Sequence, residues 1–143
     1  NGATRNNIIR LNTDGTLDNT FNIGSGFNAG VHSLYIQSNG KILVGGSFSN
    51  YNGTSINRVI RLNTDGSVDN TFNVGTGFND IVATFYEQTD GKIIIGGRFN
   101  TYNGNMSNGI IRLNSNGSAD NTFNAGIGFS NRVTSFAAQN DNK

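Results

Sequence analysis

Apolar positions in this chain alternate with polar ones over short runs and never settle into a sustained three-to-four-residue spacing, so strands are expected and helices are not. "VHSLYIQ" at 31–37 passes through Ser38-Asn39-Gly40 into "KILVGGSF" at 41–48. Asn-Gly between apolar, β-branched runs predicts a hairpin. A third strand, "NRVIRLN" at 57–63, leads to a turn at Asp65-Gly66, and a fourth is expected near "SVDNTFN" at 67–73. In "KIIIGGRF", Ile93 and Ile95 point to one face and Ile94 to the other, so this second strand has apolar side chains or glycine on both faces. It belongs to a sheet covered on both sides.

The pattern then repeats. "IIRLNTDGTLDNTFN" at 8–22 returns as "VIRLNTDGSVDNTFN" at 59–73 and "IIRLNSNGSADNTFN" at 110–124, and "SNGKILVGGSFSNYNG" at 38–53 matches "TDGKIIIGGRFNTYNG" at 89–104. Each step is 51 residues without insertion or deletion, giving copies 1–51, 52–102 and an incomplete 103–143. A fixed period of this length marks one supersecondary unit per copy. Four antiparallel strands per unit, in a doubly covered sheet, predict an all-β, β-propeller-like fold whose blades stack face to face; three copies make a β-trefoil the alternative. The paired glycines Gly45-Gly46 and Gly96-Gly97 are expected to let neighbouring backbones approach. Phe21, Phe72 and Phe123, with Phe27, Phe78 and Phe129, are expected to seal each unit against the next, and Gly24 and Gly26 to supply positive-φ turns between blades. Counted from Asn1, the strands run third and fourth, two full sets of four, and a final first strand ending near Gln139. That order predicts a segment of a longer repetitive protein, or completion by further copies of the repeat, since bare blade edges are pairing templates.

Composition narrows the function. The chain has 26 Asn, 20 Gly, no Cys and 13% charged residues, with a formal net charge of +1. Absence of Cys removes disulfides and thiolate chemistry, and the near-neutral balance predicts neither a nucleic-acid footprint nor an anionic-membrane patch. No apolar run reaches the roughly 20 residues of a membrane span, so no membrane insertion is expected.

Together, "DGKIIIGGRF", "YNG", "IIRLN" and "DGSVDNTFN" closely resemble the delta-60 repeat, a β-propeller-type repeat of large secreted and cell-surface bacterial proteins. The likeness covers essentially the whole chain. It implies an extracellular or cell-surface, structural or adhesive setting, and supplies no catalytic residues. Copy three departs from the pattern, with Asn116 in place of Asp14 and Asp65, and Asn142 in place of glycine.

Chemistry-bearing residues are few. Asp14, Asp18, Asp65 and Asp69 sit at alternating positions beside a glycine, as in a calcium loop, but without its closing Glu; an Asp-Gly turn of type I′ or with a glycine bulge, and an Asx-turn at Asp69, are expected instead. His32 is the one histidine and no nucleophile elbow accompanies it. Glu87, the one glutamate, is expected on the surface rather than in a carboxylate pair. Arg10, Arg61 and Arg112 recur in the third strand as donors bridging blades to a carboxylate or carbonyl. No enzyme activity and no cofactor are expected. Recognition, if present, belongs to the variable loops "ATRNN" at 3–7, "TSINR" at 54–58 and "NMSNG" at 105–109. There Asn6, Asn7, Asn57, Arg58, Asn105 and Asn108 are candidates to hydrogen-bond glycans on which Tyr51 and Tyr102 stack.

Overall fold

The computed structural model describes residues 6–139. Among these residues there is no helix. Strands β1 (Val31–Ile36), β2 (Ile42–Gly46), β3 (Asn50–Tyr51), β4 (Thr54–Ser55) and β5 (Val59–Leu62) are followed, one period later, by β6 (Val82–Glu87), β7 (Ile93–Gly97), β8 (Thr101–Tyr102), β9 (Asn105–Met106) and β10 (Ile110–Leu113). β1-β2-β5 and β6-β7-β10 form two antiparallel sheets, and the pairs β3-β4 and β8-β9 are small hairpins thrown out between the second and third strands of each sheet. The fold is therefore all-β with propeller-like blades, and each blade draws strands from two adjacent copies of the repeat.

The turns follow from local chemistry. Between Asn63 and Ser67 the Asn63 N–H donates to Ser67 O (2.8 Å) and the Gly66 N–H to Asn63 O (3.0 Å), while Gly66 adopts a φ of 88°. This is the glycine-bulge hairpin, in which only the third loop residue needs the left-handed region. Gly24 and Gly26, in the links between blades, have φ of 54° and 72°.

The fourth strand differs from the sequence expectation. It is reduced to single bridges, Leu11 to Leu17, Leu62 to Val68 and Leu113 to Ala119. Beyond Val68 the chain leaves the ladder because the Asp69 carboxylate accepts the Thr71 N–H (3.1 Å) and Oγ1 (2.7 Å), a local turn that competes with strand pairing. The first strand expected near 133–139 is not a strand either. This segment lies over the second sheet, with Val133 and Phe136 against Gly96 and the Val133 N–H donating to Gly97 O (3.0 Å). Asn142 lies outside the described residues.

Both faces of each sheet are packed. In β2, Val44 joins a cluster with Ile8, Phe21, Ile23, Phe27, Phe48, Tyr51, Ile60 and Leu62, while its neighbour Leu43 joins the cluster of Phe72, Phe78, Val82, Phe85, Ile93, Ile95, Phe99, Tyr102 and Leu113. Adjacent side chains thus serve two different seams, as alternation in a sandwiched strand requires. Aromatic trios hold the outer part of each seam. The Phe27 ring lies 4.4 Å from Phe48 and 4.6 Å from Tyr51, and Phe78 lies 4.5 Å from Phe99 and 4.7 Å from Tyr102. Burying each such side chain is worth roughly 1.5–3 kcal/mol. Phe123 is half-buried and Phe129 is 55% exposed, so among the described residues the third copy does not make the seal that Phe27 and Phe78 make.

The two consecutive glycines do different jobs. A Cβ on Gly45 would meet Val82 Cγ1 at 2.6 Å and Phe85 Cζ at 2.8 Å, both on the next blade, and one on Gly96 would meet Phe136 and Val133 at 2.8 Å. Those first glycines permit blades to close on one another. A Cβ on Gly46 would instead lie 2.2 Å from Gly30 O, and on Gly97 2.1 Å from Ile81 O, carbonyls of the same blade. The second glycine admits the chain entering the first strand, so the pairing is not simply a neighbour-blade device.

Backbone yields less readily than the ends of side chains, so Gly46→Ala is expected to lose more stability than Gly45→Ala, about 3 kcal/mol against about 1–2 kcal/mol, in urea denaturation.

Candidate functional site

One side-chain cluster recurs with the repeat. It is built on the third strand, where Arg61 of β5 points back toward the Asp-Gly turn. Arg61 Nε donates to Asp69 Oδ2 (2.6 Å), which also accepts from Lys41 Nζ (2.8 Å). Arg61 Nη2 donates to Thr71 Oγ1 (3.2 Å), Nη1 donates to Gln37 Oε1 (3.4 Å), and the guanidinium carbon lies 4.6 Å from the Phe72 ring centroid. One period later the arrangement recurs with Arg112, Asp120, Lys92, Gln88, Thr122 and Phe123. Arg10 does so with Asp18, Thr20 and Phe21.

The same arginine then crosses the seam. Arg61 Nη1 donates to Ser115 O (2.7 Å) in the next copy's turn, and Arg10 Nη1 bonds Thr64 O. Asn22 N–H donates to Asp65 O and Asn73 N–H to Asn116 O, both 2.8 Å. Arg10 and Arg61 therefore meet both expected kinds of acceptor, a carboxylate in their own copy and a carbonyl in the next, whereas Arg112 meets the Asp120 carboxylate. Glu87 makes a further bridge. Its carboxylate accepts from Gln37 Nε2 (2.7 Å) and the Ser38 N–H (2.9 Å) of the preceding blade, so it is half-buried at a seam instead of loose on the surface.

Electrostatics follow from this geometry. Burial alone would raise the Asp69 carboxyl, but hydrogen bonds from Lys41, Thr71 and Arg61 outweigh it and hold the group well below the usual carboxylate range. Asp120 is lowered likewise, first by the Thr122 hydroxyl and amide, then by Lys92 and Arg112. The Tyr51 hydroxyl donates to Gly66 O (2.7 Å) and that of Tyr102 to Gly117 O; burial pushes both up to about 12.

The aspartates considered for calcium do not converge. Asp14 and Asp65 each accept the amide and hydroxyl of the residue two positions on, Thr16 and Ser67, and Asp18 is engaged by Arg10 and Thr20. Asn116 makes the same two bonds to Ser118 at 3.0 and 2.8 Å, showing that the turn needs an acceptor and not a charge. Among the described residues no three acidic or histidine side chains gather as a metal site. His32 is exposed.

The glycan candidates are largely spent on structure. Tyr51 and Tyr102 are buried with their hydroxyls bonded inward, so neither ring offers a face to a sugar. Asn6, Asn57 and Asn108 donate Nδ2 to Ser25 O (2.7 Å), Thr76 O (2.9 Å) and Ile127 O (2.9 Å), clamping the link between blades. Asn7 and Arg58 hold the same left-handed position, each with φ 69°, and bond the carbonyls of Phe27 and of Ser47 and Phe48. Asn105 remains exposed on β9.

Two equivalent open grooves lie along the seams. One, of about 430 Å³, is lined by Asn22, Asn52, Asp65 and Ser67; the other, about 620 Å³, by Asn73, Asn103, Asn105, Asn116 and Ser118. Asn52 and Asn103 had a signal in the sequence, the recurring "YNG". So did the latch members Lys41, Lys92, Gln37 and Gln88, at constant offsets from the second strand.

The family model described as a domain of unknown function (DUF5122), β-propeller, matches residues 1–21, 37–72 and 88–123, more than half of the chain. The chain belongs to this β-propeller family. Its matched segments run from Gln37 to Phe72 and from Gln88 to Phe123, so the family pattern coincides with the arginine latch from its glutamine to its phenylalanine. Neither a search of the curated proteins nor one of the solved structures returned a match.

Asp69→Asn leaves Arg61 and Lys41 facing a neutral partner in a buried setting and is expected to cost about 3 kcal/mol by chemical denaturation. Because the folded-state pKa of Asp69 lies below its unfolded value of about 4, its contribution is complete above about pH 5 and disappears as pH falls toward the folded value. The acid limb of the stability profile should therefore flatten in Asp69→Asn. Tyr51 and Tyr102 act at the other end: their contribution is full below about pH 10 and is lost as pH rises through about 12, so Tyr51→Phe should blunt the alkaline decline.

Proposed function

We propose that this propeller segment is a non-enzymatic, extracellular scaffold and adhesion surface within a larger bacterial surface or secreted protein of the delta-60 type. Its partners are further copies of the same repeat. The observation that carries the reading is the use made of the recurrent charged side chains: Arg10, Arg61, Arg112, Lys41, Lys92, Asp18, Asp69 and Asp120 are all paired within the latches. Repetition here multiplies a joint between building units. A formal net charge of +1 gives no electrostatic footprint for nucleic acid. No helix among the described residues is long and apolar enough to cross a membrane.

A second reading, glycan binding, is favoured by the recurrence of the asparagine-lined groove at two seams. Neutral amides suit neutral hydroxyls, and groove residues equivalent by one period would engage a repeating polysaccharide at matching spacing. The tyrosines expected to stack on sugars face inward and offer no ring there, and scaffolding therefore stands first.

Antibody raised against the folded chain is expected to label intact cells of the source organism; labelling confined to permeabilised cells would contradict the surface assignment. On a glycan array the chain is expected to bind nothing. Binding that disappears in the Asn52→Ala/Asn103→Ala variant would replace the scaffold reading with the lectin one.

A further inference from the structure

Five Asn-Gly pairs lie among the described residues, at Asn39, Asn52, Asn103, Asn108 and Asn116. A glycine nitrogen, with no Cβ beside it, can close on the preceding side-chain amide to form a five-membered succinimide. In a folded chain the outcome depends on what holds that nitrogen. The Gly40 N–H donates to Gln37 O (2.8 Å), the Gly109 N–H to Phe99 O (2.8 Å) and the Gly117 N–H to Asn114 O (2.9 Å). The other two pairs are the tips of the small hairpins β3-β4 and β8-β9 and are equivalent by one period. Asn52 and Gly53 have φ of 48° and 82°, Asn103 and Gly104 of 49° and 78°, the two left-handed residues that a type I′ turn requires. Each asparagine Oδ1 accepts an amide and a hydroxyl from the link between blades, Asn52 from Ser25 (3.1 and 3.3 Å) and Asn103 from Thr76 (3.1 and 3.0 Å). The tips differ in what holds the glycine. The Gly53 N–H donates to Asn50 Oδ1 (2.9 Å), whereas the equivalent of Asn50 is Thr101, and among the described residues no acceptor meets the Gly104 N–H. Both Asn103 and Gly104 are exposed.

We propose that Asn103-Gly104 is a self-modifying site at which the folded chain converts an asparagine of its larger groove to a carboxylate, while Asn52-Gly53 is held unreactive. The Gly104 nitrogen gives its proton to hydroxide and attacks Asn103 Cγ, forming the N–Cγ bond. Charge passes to Oδ1, where the Thr76 amide and hydroxyl already donate. The Cγ–Nδ2 bond then breaks, Nδ2 takes a proton from water, and ammonia leaves. Water opens the ring at Cγ to give aspartate, or at the main-chain carbonyl carbon to give isoaspartate. Attack requires the hairpin tip to open, which two-residue strands resist little. At the Asn52 tip the bond to Asn50 must break as well. Since Ser25 polarises Asn52 as Thr76 polarises Asn103, the comparison isolates the glycine amide. The product places a carboxylate among the neutral side chains of Asn73, Asn105, Asn116 and Ser118. Isoaspartate also lengthens the turn by a methylene and draws the acceptor away from Thr76. Modification thus distinguishes two seams that are otherwise alike.

The reaction requires neither scaffolding nor glycan binding, and its test reads neither. The folded chain is incubated in mildly alkaline buffer, digested, and each asparagine followed by tandem mass spectrometry, with fragment ions separating Asn103 from Asn108. Conversion at Asn103 is expected to run about five- to tenfold faster than at Asn52, the factor that one hydrogen bond on the attacking nitrogen supplies. Thr101→Asn, which installs the residue that holds Gly53, should slow Asn103 by the same factor. Asn50→Thr should bring Asn52 up to the rate of Asn103. In denaturant the two sites should convert alike, since both are Tyr-Asn-Gly. Equal rates in the folded chain, faster conversion at Asn39, Asn108 or Asn116, or an Asn103 rate unchanged by Thr101→Asn would overturn the proposal. A difference between Asn103 and Asn52 that persists in denaturant would do so too, because local sequence and not the fold would then set it.

Discussion

Everything in this architecture depends on how closely one sheet can approach the next. Gly45 lacks a Cβ that would collide with Val82 and Phe85 of the next blade, and those two side chains fill the space beside it, so β6 can close on β2. Without that approach the two apolar clusters would lose a wall each. Burial at these seams is the main favourable term available to a chain with 13% charged residues and no disulfide. The polar latches are secondary in energy and primary in register. Arg61 reaches a carboxylate on one side of the seam and the Ser115 carbonyl on the other, so it fixes which turn meets which blade.

The latch also explains why charge is scarce and yet recurrent. A buried arginine is tolerable only when its donors are occupied, and Arg61 places its guanidinium against Asp69, Thr71, Gln37, the Ser115 carbonyl and the Phe72 ring. Copies vary where a backbone group or a simple acceptor suffices. Asp65 becomes Asn116 without loss of either turn bond, and the left-handed position is Asn7, Arg58 or Gly109 in turn. Variation is thus confined by conformation at some positions and by hydrogen-bond type at others.

Much of this was legible in the chain itself. Alternation in "KIIIGGRF" signalled a doubly covered strand, Asp65-Gly66 signalled the hairpin, and the 51-residue spacing of Arg10, Arg61 and Arg112 signalled a structural donor. Three features were not legible, for separable reasons. The fourth strand reads as β-forming, but Asp69 captures the Thr71 amide before a ladder can grow. Tyr51 and Tyr102 stand beside Asn-rich loops, which suggests exposure; only tertiary packing shows that their rings join Phe27 and Phe78 and their hydroxyls find Gly66 and Gly117. Glu87 has no repeated counterpart, so its partners in the preceding turn left no periodic trace. As for the candidate site, the loop asparagines were visible as a group, whereas their use as clamps on Ser25, Thr76 and Ile127 depends on contacts about twenty residues apart.

The central claim is that the seam, and not the individual sheet, is the unit of cohesion. Native-state hydrogen exchange of the β2 and β6 amides tests it most directly. If the seam governs, amides of both strands open with the same free energy, and Phe85→Ala lowers both together. Protection of β2 that is unchanged by Phe85→Ala, with β6 alone exchanging faster, would show that each sheet stands by itself and would contradict the account.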